Sequence, residues 1–199
     1  MNAPSAAALE SACDRLAAAD ANLKIAYAKI GLPNWRNRPA TYQSLAMIVV
    51  YQLISTKAAD AIWGRILARH PNLAASDVLA DDPDGLLACG LSRPKLGHLV
   101  AIAEAVESGV LDFEQLAAAP IETARKTLLS VRGIGPWTAD TFLMTALGHL
   151  DAFPHGDVGL MEAYKRLSGA EDRLASKAFS QLAESWRPYR AVAAHLLYE

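Results

Sequence analysis

Two stretches of this chain hold residue types whose spacing suits chemistry. The first, Leu128 to Leu147, reads LLSVRGIGPWTADTFLMTAL. A helix is expected to end near Ser130, Gly133-Ile134-Gly135 to form a tight turn, and Pro136 to open a second helix. Proline fits a first helical turn because its missing N–H needs no partner there. The two glycines allow positive φ and let another backbone approach closely. Ile134 can then point into the core and lock the two helices together. The second helix presents free N–H groups and a positive dipole end, a seat for a phosphate, and Arg132 adds charge beside it. The same pattern also describes an ordinary helical hairpin with a glycine turn. The second stretch, Asp151 to Leu160, reads DAFPHGDVGL. Pro154 and Gly156 break the chain, and Asp157 stands at the start of the next helix, Val158 to Leu167. Asp157 suits an N-cap. A carboxylate fixed at a helix start is also well oriented for a second role.

The composition bounds what can position these residues. A length of 199 residues fits one large domain or two small ones with a shared interface. A hydrophobic fraction of 52% is ample for a packed core. No apolar run reaches the roughly 20 residues that span a bilayer. Met1 to Glu10 lacks the basic start and long apolar centre of a signal peptide, so a cytoplasmic protein is expected. Two cysteines, Cys13 and Cys89, far apart and without Cys-x-x-Cys spacing, argue against a disulfide framework and a cysteine metal site. They cannot supply the four thiolates of an iron–sulfur cluster. The formal net charge of −2 counts mildly against nucleic acid. Local patches, not the total, set phosphate affinity.

The elements read as all-α. Alanine and leucine dominate, and no segment alternates with period two. A first helix is expected from Ser5 to Ile30, with Leu9, Cys13, Leu16, Leu23 and Tyr27 on one stripe, stopped by Gly31 and Pro33. A polar link, Asn34 to Pro39, carries Trp35, Arg36 and Arg38. Thr41 caps an apolar segment, Tyr42 to Ile54, and Ser55 or Thr56 starts a helix that Pro71 ends. Ser76, Asp82 and Ser92 look like caps. Arg93 to Ser108, Asp112 to Ala119 and Ile121 to Ser130 read as further helices. Many short helices with tight links imply a compact orthogonal bundle.

Gly133-Ile134-Gly135 followed by Pro154-x-x-Asp157 resembles the helix-hairpin-helix DNA glycosylase superfamily. Gln52-Leu53-Ile54-Ser55 resembles that family's Gln-x-x-Ser helix end. Gly90-Leu91-Ser92 with Lys95 resembles the segment that precedes its hairpin, and Arg187-Pro188-Tyr189-Arg190 resembles its closing Arg-Pro-Trp-Arg. The resemblance covers about Thr41 to Tyr198 and points to the DNA-3-methyladenine glycosylase II branch, which removes alkylated purines. It implies two helical lobes around a catalytic cleft: 39–152 with the hairpin, and 1–38 with 153–199. Asp157 would lie near their junction, and the flipped base would enter beside Trp137.

Residue by residue, Asp157 falls on the family's catalytic aspartate, which stabilises positive charge on the sugar as the base leaves. Trp137 stands where bifunctional members carry the lysine that forms a Schiff base, so only base removal is implied. Trp137 would line the base pocket, or simply pack the hairpin. Arg132, Gly133, Ile134 and Gly135 would hold a phosphate, and the hairpin carbonyls can bind Na+ or K+. Leu53 matches the apolar wedge that fills the duplex after flipping; simple core packing is its alternative. Tyr198 aligns with a C-terminal aromatic facing the pocket. Tyr42, Tyr51 and Trp35 are further aromatics for which packing is the simpler role. Thr141 stands where a close relative carries an aromatic, and His195 and Tyr189 stand where tryptophan is usual in the family, departures that bear on substrate choice. Double-stranded DNA with damaged bases is the implied partner of a monomer, with no organic cofactor and no zinc.

Two other readings compete. A catalytically silent DNA-binding module would use the hairpin alone, and a helical interaction protein would use it only as structure. Lys57, Arg65, Arg93, Lys95, Arg125, Lys126 and Arg132 flank or form the hairpin region. Such charges suit either a DNA-facing surface or a solvated one.

Overall fold

The computed structural model describes residues 3–199, so Met1 and Asn2, where the reading of Met1 to Glu10 begins, lie outside the described residues. The described residues form helices and connecting turns with no strand among them, as the all-α expectation requires. No described helix is long and apolar enough to cross a membrane. The chain divides into two compact units, Pro39–Phe142 and the N-terminal segment through Arg38 together with Leu143–Glu199.

The expected first helix is two. Helix α1 (Ala6–Ala19) and helix α2 (Ala21–Ile30) meet at Asp20, which leaves helical geometry with φ −141°. Asp20 Oδ1 accepts from the Asn22 and Leu23 amides at 2.8 and 3.3 Å, capping α2. Its Oδ2 accepts from the Tyr164 hydroxyl at 3.2 Å and the Trp186 indole at 3.0 Å. One aspartate therefore breaks a run whose apolar stripe reads as continuous. Gly31, with φ +72°, stops α2 as expected.

The unit Pro39–Phe142 starts with α3 (Tyr42–Tyr51), capped by Thr41 through the Ser44 amide. It is buried on most sides, with Leu45, Ala46, Val49 and Val50 shut away from solvent. It ends at Tyr51, three residues before the expected limit. Next come α4 (Thr56–Arg69), α5 (Ala75–Ala80), α6 (Pro83–Ala88) and α7 (Arg93–Glu107). Ser55, Asp82 and Ser92 cap α4, α6 and α7. Ser76 does not cap α5. That helix begins one residue earlier, and Asp77 Oδ2 reaches back to the Ala74 amide at 2.8 Å instead. Helix α7 is the spine of this unit and packs against α3, α5 and α6. Helices α8 (Phe113–Ala118) and α9 (Ile121–Leu129) lead into the glycine turn, and α10 (Pro136–Thr145) follows it.

The boundary between the units falls within α10, at 142/143 and not at the expected 152/153. Residues 143–152 are fastened to the terminal segments. Thr145 O accepts from the Arg38 amide at 2.8 Å, Leu150 O from the Ala191 amide at 2.9 Å, and Asp151 takes both Arg187 and Arg190. The C-terminal part holds α11 (Val158–Ser168), α12 (Ser176–Ala183), a 3-10 turn at Glu184–Trp186, and α13 (Arg190–Leu197). Every residue of α13 is buried, and three of them are alanines, which lets α1, α2 and α11 pack close. Phe153, Tyr164, Phe179 and Trp186 form one aromatic cluster with tilted and edge-on pairs, the arrangement ring quadrupoles favour.

Candidate active site

Asp157 is delivered by a short, tightly folded approach. Its own amide donates to Pro154 O at 3.1 Å, and Gly156 takes φ +80°, so the chain turns sharply into α11. Asp157 Oδ1 accepts from the Leu160 amide at 2.9 Å, the expected N-cap bond. Oδ2 accepts from the Tyr198 hydroxyl at 3.0 Å. The residue is only 9% exposed, so its carboxylate sits in a fixed orientation with both oxygens engaged. Gly159 leaves room for it; a Cβ there would come within 3.1 Å of Oδ1.

Burial, reinforced by the Asp157 charge, pushes the Tyr198 phenol well above its ordinary pKa. The phenol thus remains a donor to Asp157 at any working pH. The link before α3 steadies it. The Arg36 guanidinium lies 4.5 Å from the Tyr198 ring centre, and Arg36 Nη2 donates to Tyr198 O at 3.4 Å. Trp35 stacks flat on His195, with ring centres 4.0 Å apart and planes 15° from parallel. Ala191 O accepts from His195 Nδ1 at 2.8 Å, which assigns the proton to Nδ1 because a carbonyl can only accept. Burial lowers the pKa of His195 to about 4, so the ring is neutral. The sequence points to Tyr198 as an aromatic of the base pocket but not to its bond with Asp157, to Arg36 or to the Trp35–His195 stack, whose partners lie about 160 residues apart.

The hairpin forms as expected. The Val131 amide donates to Leu128 O at 3.2 Å and the Ile134 amide to Val131 O at 3.1 Å, winding the chain into the turn. Gly133 takes φ +93°, and a Cβ there would stand 2.5 Å from the His98 ring, so only glycine fits beneath α7. Ile134 is 4% exposed and anchors the turn in the core. Gly135 is exposed and has open space where a Cβ would stand, and Arg132 is exposed beside it. Arg125 pairs with Asp140 through two bonds of 2.8 and 3.2 Å, tying α9 to α10 across the turn. Trp137, half-buried, is the second residue of α10, and its carbonyl accepts from the Thr141 hydroxyl at 2.7 Å. Thr141 thus turns its hydroxyl onto its own helix.

Leu53 is not a core residue. It is 103% exposed and takes φ +57°, the one positive φ among the described non-glycine residues. Packing accounts for Tyr42, whose hydroxyl donates to Leu99 O at 2.9 Å in the core. The Tyr51 hydroxyl bonds Asp60. Of the seven basic residues flanking the hairpin, three are bound within the protein. Arg65 donates to Cys89 O, Lys95 to the carbonyls of Val50 and Gln52, and Arg125 to Asp140. Lys57, Arg93, Lys126 and Arg132 are exposed.

Comparison with known proteins gives a consistent result. The pattern of the HhH-GPD superfamily, described as base excision DNA repair proteins, matches residues 46–188. A Mycobacterium tuberculosis protein named "Probable bifunctional transcriptional activator/DNA repair enzyme AlkA" is 35% identical over 162 residues, covering 75% of this chain and 31% of that one. The chain therefore spans about a third of the length of that relative. DNA-3-methyladenine glycosylase 1 of Schizosaccharomyces pombe is 28% identical, over 79% of this chain and 71% of its own. The solved structure of a Schizosaccharomyces pombe 3-methyladenine DNA glycosylase in complex with abasic DNA superimposes with a TM-score of 0.85 at 26% identity, covering 94% of this chain and 95% of that one.

Proposed function

The chain belongs to the HhH-GPD superfamily of base excision DNA repair proteins, and we propose that it is a monofunctional DNA glycosylase acting on alkylated purines in double-stranded DNA. The observation that carries this reading is the Asp157 carboxylate, held by the Leu160 amide and the Tyr198 hydroxyl at 2.9 and 3.0 Å. The names of the relatives support alkylated bases as the substrate class.

The chemistry follows from that carboxylate. As the bond from the anomeric carbon to the purine nitrogen breaks, the electron pair leaves with the base and positive charge develops on the sugar. A fixed carboxylate stabilises that charge with no reorganisation during the reaction. It also orients the water that adds to the sugar carbon and accepts its proton. An alkylated purine is already cationic and leaves as a neutral base, so no separate acid is required. Trp137 has no amine, so the Schiff-base route to strand cleavage is closed and an intact abasic strand is the product.

The hairpin holds the substrate strand. The N-terminus of α10, with the exposed Arg132 beside it, suits a phosphate. Val131 O and Gly135 O each accept one N–H, from Ile134 and Ala139, and each keeps a second lone pair. Those carbonyls would hold Na+ or K+, whose positive charge would favour a bound phosphate. Leu53 serves as the wedge that fills the space a flipped nucleotide leaves. The protein acts as a monomer, in the cytoplasm at the bacterial nucleoid.

Base release from methylated duplex DNA tests this reading. The expected products are free methylated purine and a strand that breaks only after alkali treatment. Strand breaks without alkali, or no release from any alkylated duplex, would contradict it.

A further inference from the structure

Leu53 presents a physical problem. A left-handed backbone is unfavourable for a bulky L-residue, and an almost fully exposed side chain has no packing of its own to offset that cost. The conformation must be imposed by neighbours. Two fastenings are visible, both within the unit Pro39–Phe142. Lys95 Nζ lies 2.7 Å from Val50 O and 2.7 Å from Gln52 O, carbonyls at the end of α3 that helical bonding leaves without partners. Gln52 Nε2 then donates to Thr138 Oγ1, 2.5 Å away, in the first turn of α10. The residue immediately before Leu53 is thereby pinned by its carbonyl to α7 and by its side chain to the hairpin helix.

We propose that Lys95 is a positioning residue for duplex opening, which with the Gln52–Thr138 bond mounts Leu53 as a rigid wedge on the body that carries the phosphate seat. The wedge and the N-terminus of α10 are then joined by one short chain of hydrogen bonds. A duplex strand seated on the hairpin meets Leu53 at a preset place, with no loop ordering left to occur on binding. Burial lowers the Lys95 ammonium below its ordinary pKa, while donation to the two carbonyls favours its charged form. A simple C-terminal cap for α3 would not require a strained, projecting leucine next to it. The inference rests on the wedge role given to Leu53 in the proposed function.

The test uses the full chain and a duplex carrying a tetrahydrofuran abasic analogue with 2-aminopurine beside it. Wild type, Leu53→Ala, Lys95→Met and the double variant are compared after thermal unfolding confirms that each folds. Wild type is expected to unstack the 2-aminopurine and raise its fluorescence. Each single variant is expected to lose that rise and about tenfold in affinity, the scale of burying one leucine side chain. The double variant is expected to be no worse than either single one, because Lys95 acts through Leu53. Thr138→Val, which cuts the Gln52 fastening from its other end, is expected to give the same non-additive loss, and it carries the test if Lys95→Met does not fold. Additive losses would overturn the proposal. So would a fluorescence rise that does not depend on Leu53. So would an equal loss on undamaged duplex with the salt slope reduced by about 1, which marks Lys95 as a phosphate contact. A protein that inserts Leu53 but releases no base would contradict the glycosylase reading and support this one.

Discussion

The Tyr198 hydroxyl donates to Asp157 Oδ2 across 3.0 Å, and it does so from the last turn of the chain to the first residue before α11, 41 positions earlier. With Oδ1 taken by the Leu160 amide, this bond decides which way the second carboxylate oxygen faces. Tyr198→Phe removes the bond and keeps the ring under Arg36. We expect kcat for base release to fall about tenfold, the usual scale for a hydrogen bond to a charged group, with KM little changed. Single-turnover kinetics on methylated duplex would check this. A change confined to KM would place Tyr198 in substrate contact alone.

The two hairpin glycines should separate fold from function. Gly133→Ala forces an L-residue to φ +93° and drives a Cβ to 2.5 Å from His98. It should destabilise the protein by about 2–3 kcal/mol. Gly135→Ala meets open space, so the melting temperature should stay at the wild-type value. Its methyl group would nonetheless crowd the phosphate proposed to sit there, and binding to duplex DNA should weaken. Thermal unfolding and a DNA titration on both variants would test the pair.

His195 should make stability depend on pH. Its folded pKa is about 4, chiefly through burial, against an ordinary value of 6.5. Between those values the unfolded chain binds the extra proton, so stability rises with pH. The contribution is complete above about pH 6.5, falls as pH drops towards 4, and is not lost further below that. The size is about 3 kcal/mol. Burial also lowers His149, which acts in the same direction. Denaturant unfolding at pH 7 and pH 4.5 should show the loss in wild type and a smaller one in His195→Phe, where the aromatic stack on Trp35 survives.

Asp20 should be a stability residue of the same rank. Asp20→Ala leaves the buried Trp186 indole without its acceptor, leaves the Tyr164 hydroxyl with only the bond it accepts from Asn22, and removes the cap of α2. A loss of about 3 kcal/mol is expected, measured by denaturant unfolding. A loss below about 1 kcal/mol would show that water replaces the carboxylate.

Legibility in the sequence followed the range of the interactions. Thr41, Ser55, Asp82, Ser92 and Asp157 cap helices as their types and positions indicate, because a cap bonds to an amide two or three residues on. The glycine turn and buried Ile134 were equally local. Asp20 was not legible: its cap of α2 is local, but it sits in an alanine-rich run with an unbroken apolar stripe, and the Tyr164 and Trp186 that hold its other oxygen are more than 140 residues away. The unit boundary was displaced for the same reason, since Arg38, Arg187, Arg190 and Ala191 are what claim residues 143–152. Leucine at position 53 carries no sign of positive φ. That conformation depends on Lys95 and Thr138, each more than 40 residues away. Lys95 and Arg125 read as surface charge, and only coordinates reveal the carbonyls and the carboxylate that hold them.

Asp157 is proposed to be catalytic and not only an N-cap. Asn caps helices as well as Asp, so Asp157→Asn preserves the cap and removes the charge. Base release from methylated duplex by this variant, beside wild type, separates the two roles. If the charge is catalytic, the variant folds, still binds abasic DNA and releases bases at least about a thousandfold more slowly. Release at the wild-type rate would contradict it and leave Asp157 as a helix cap alone.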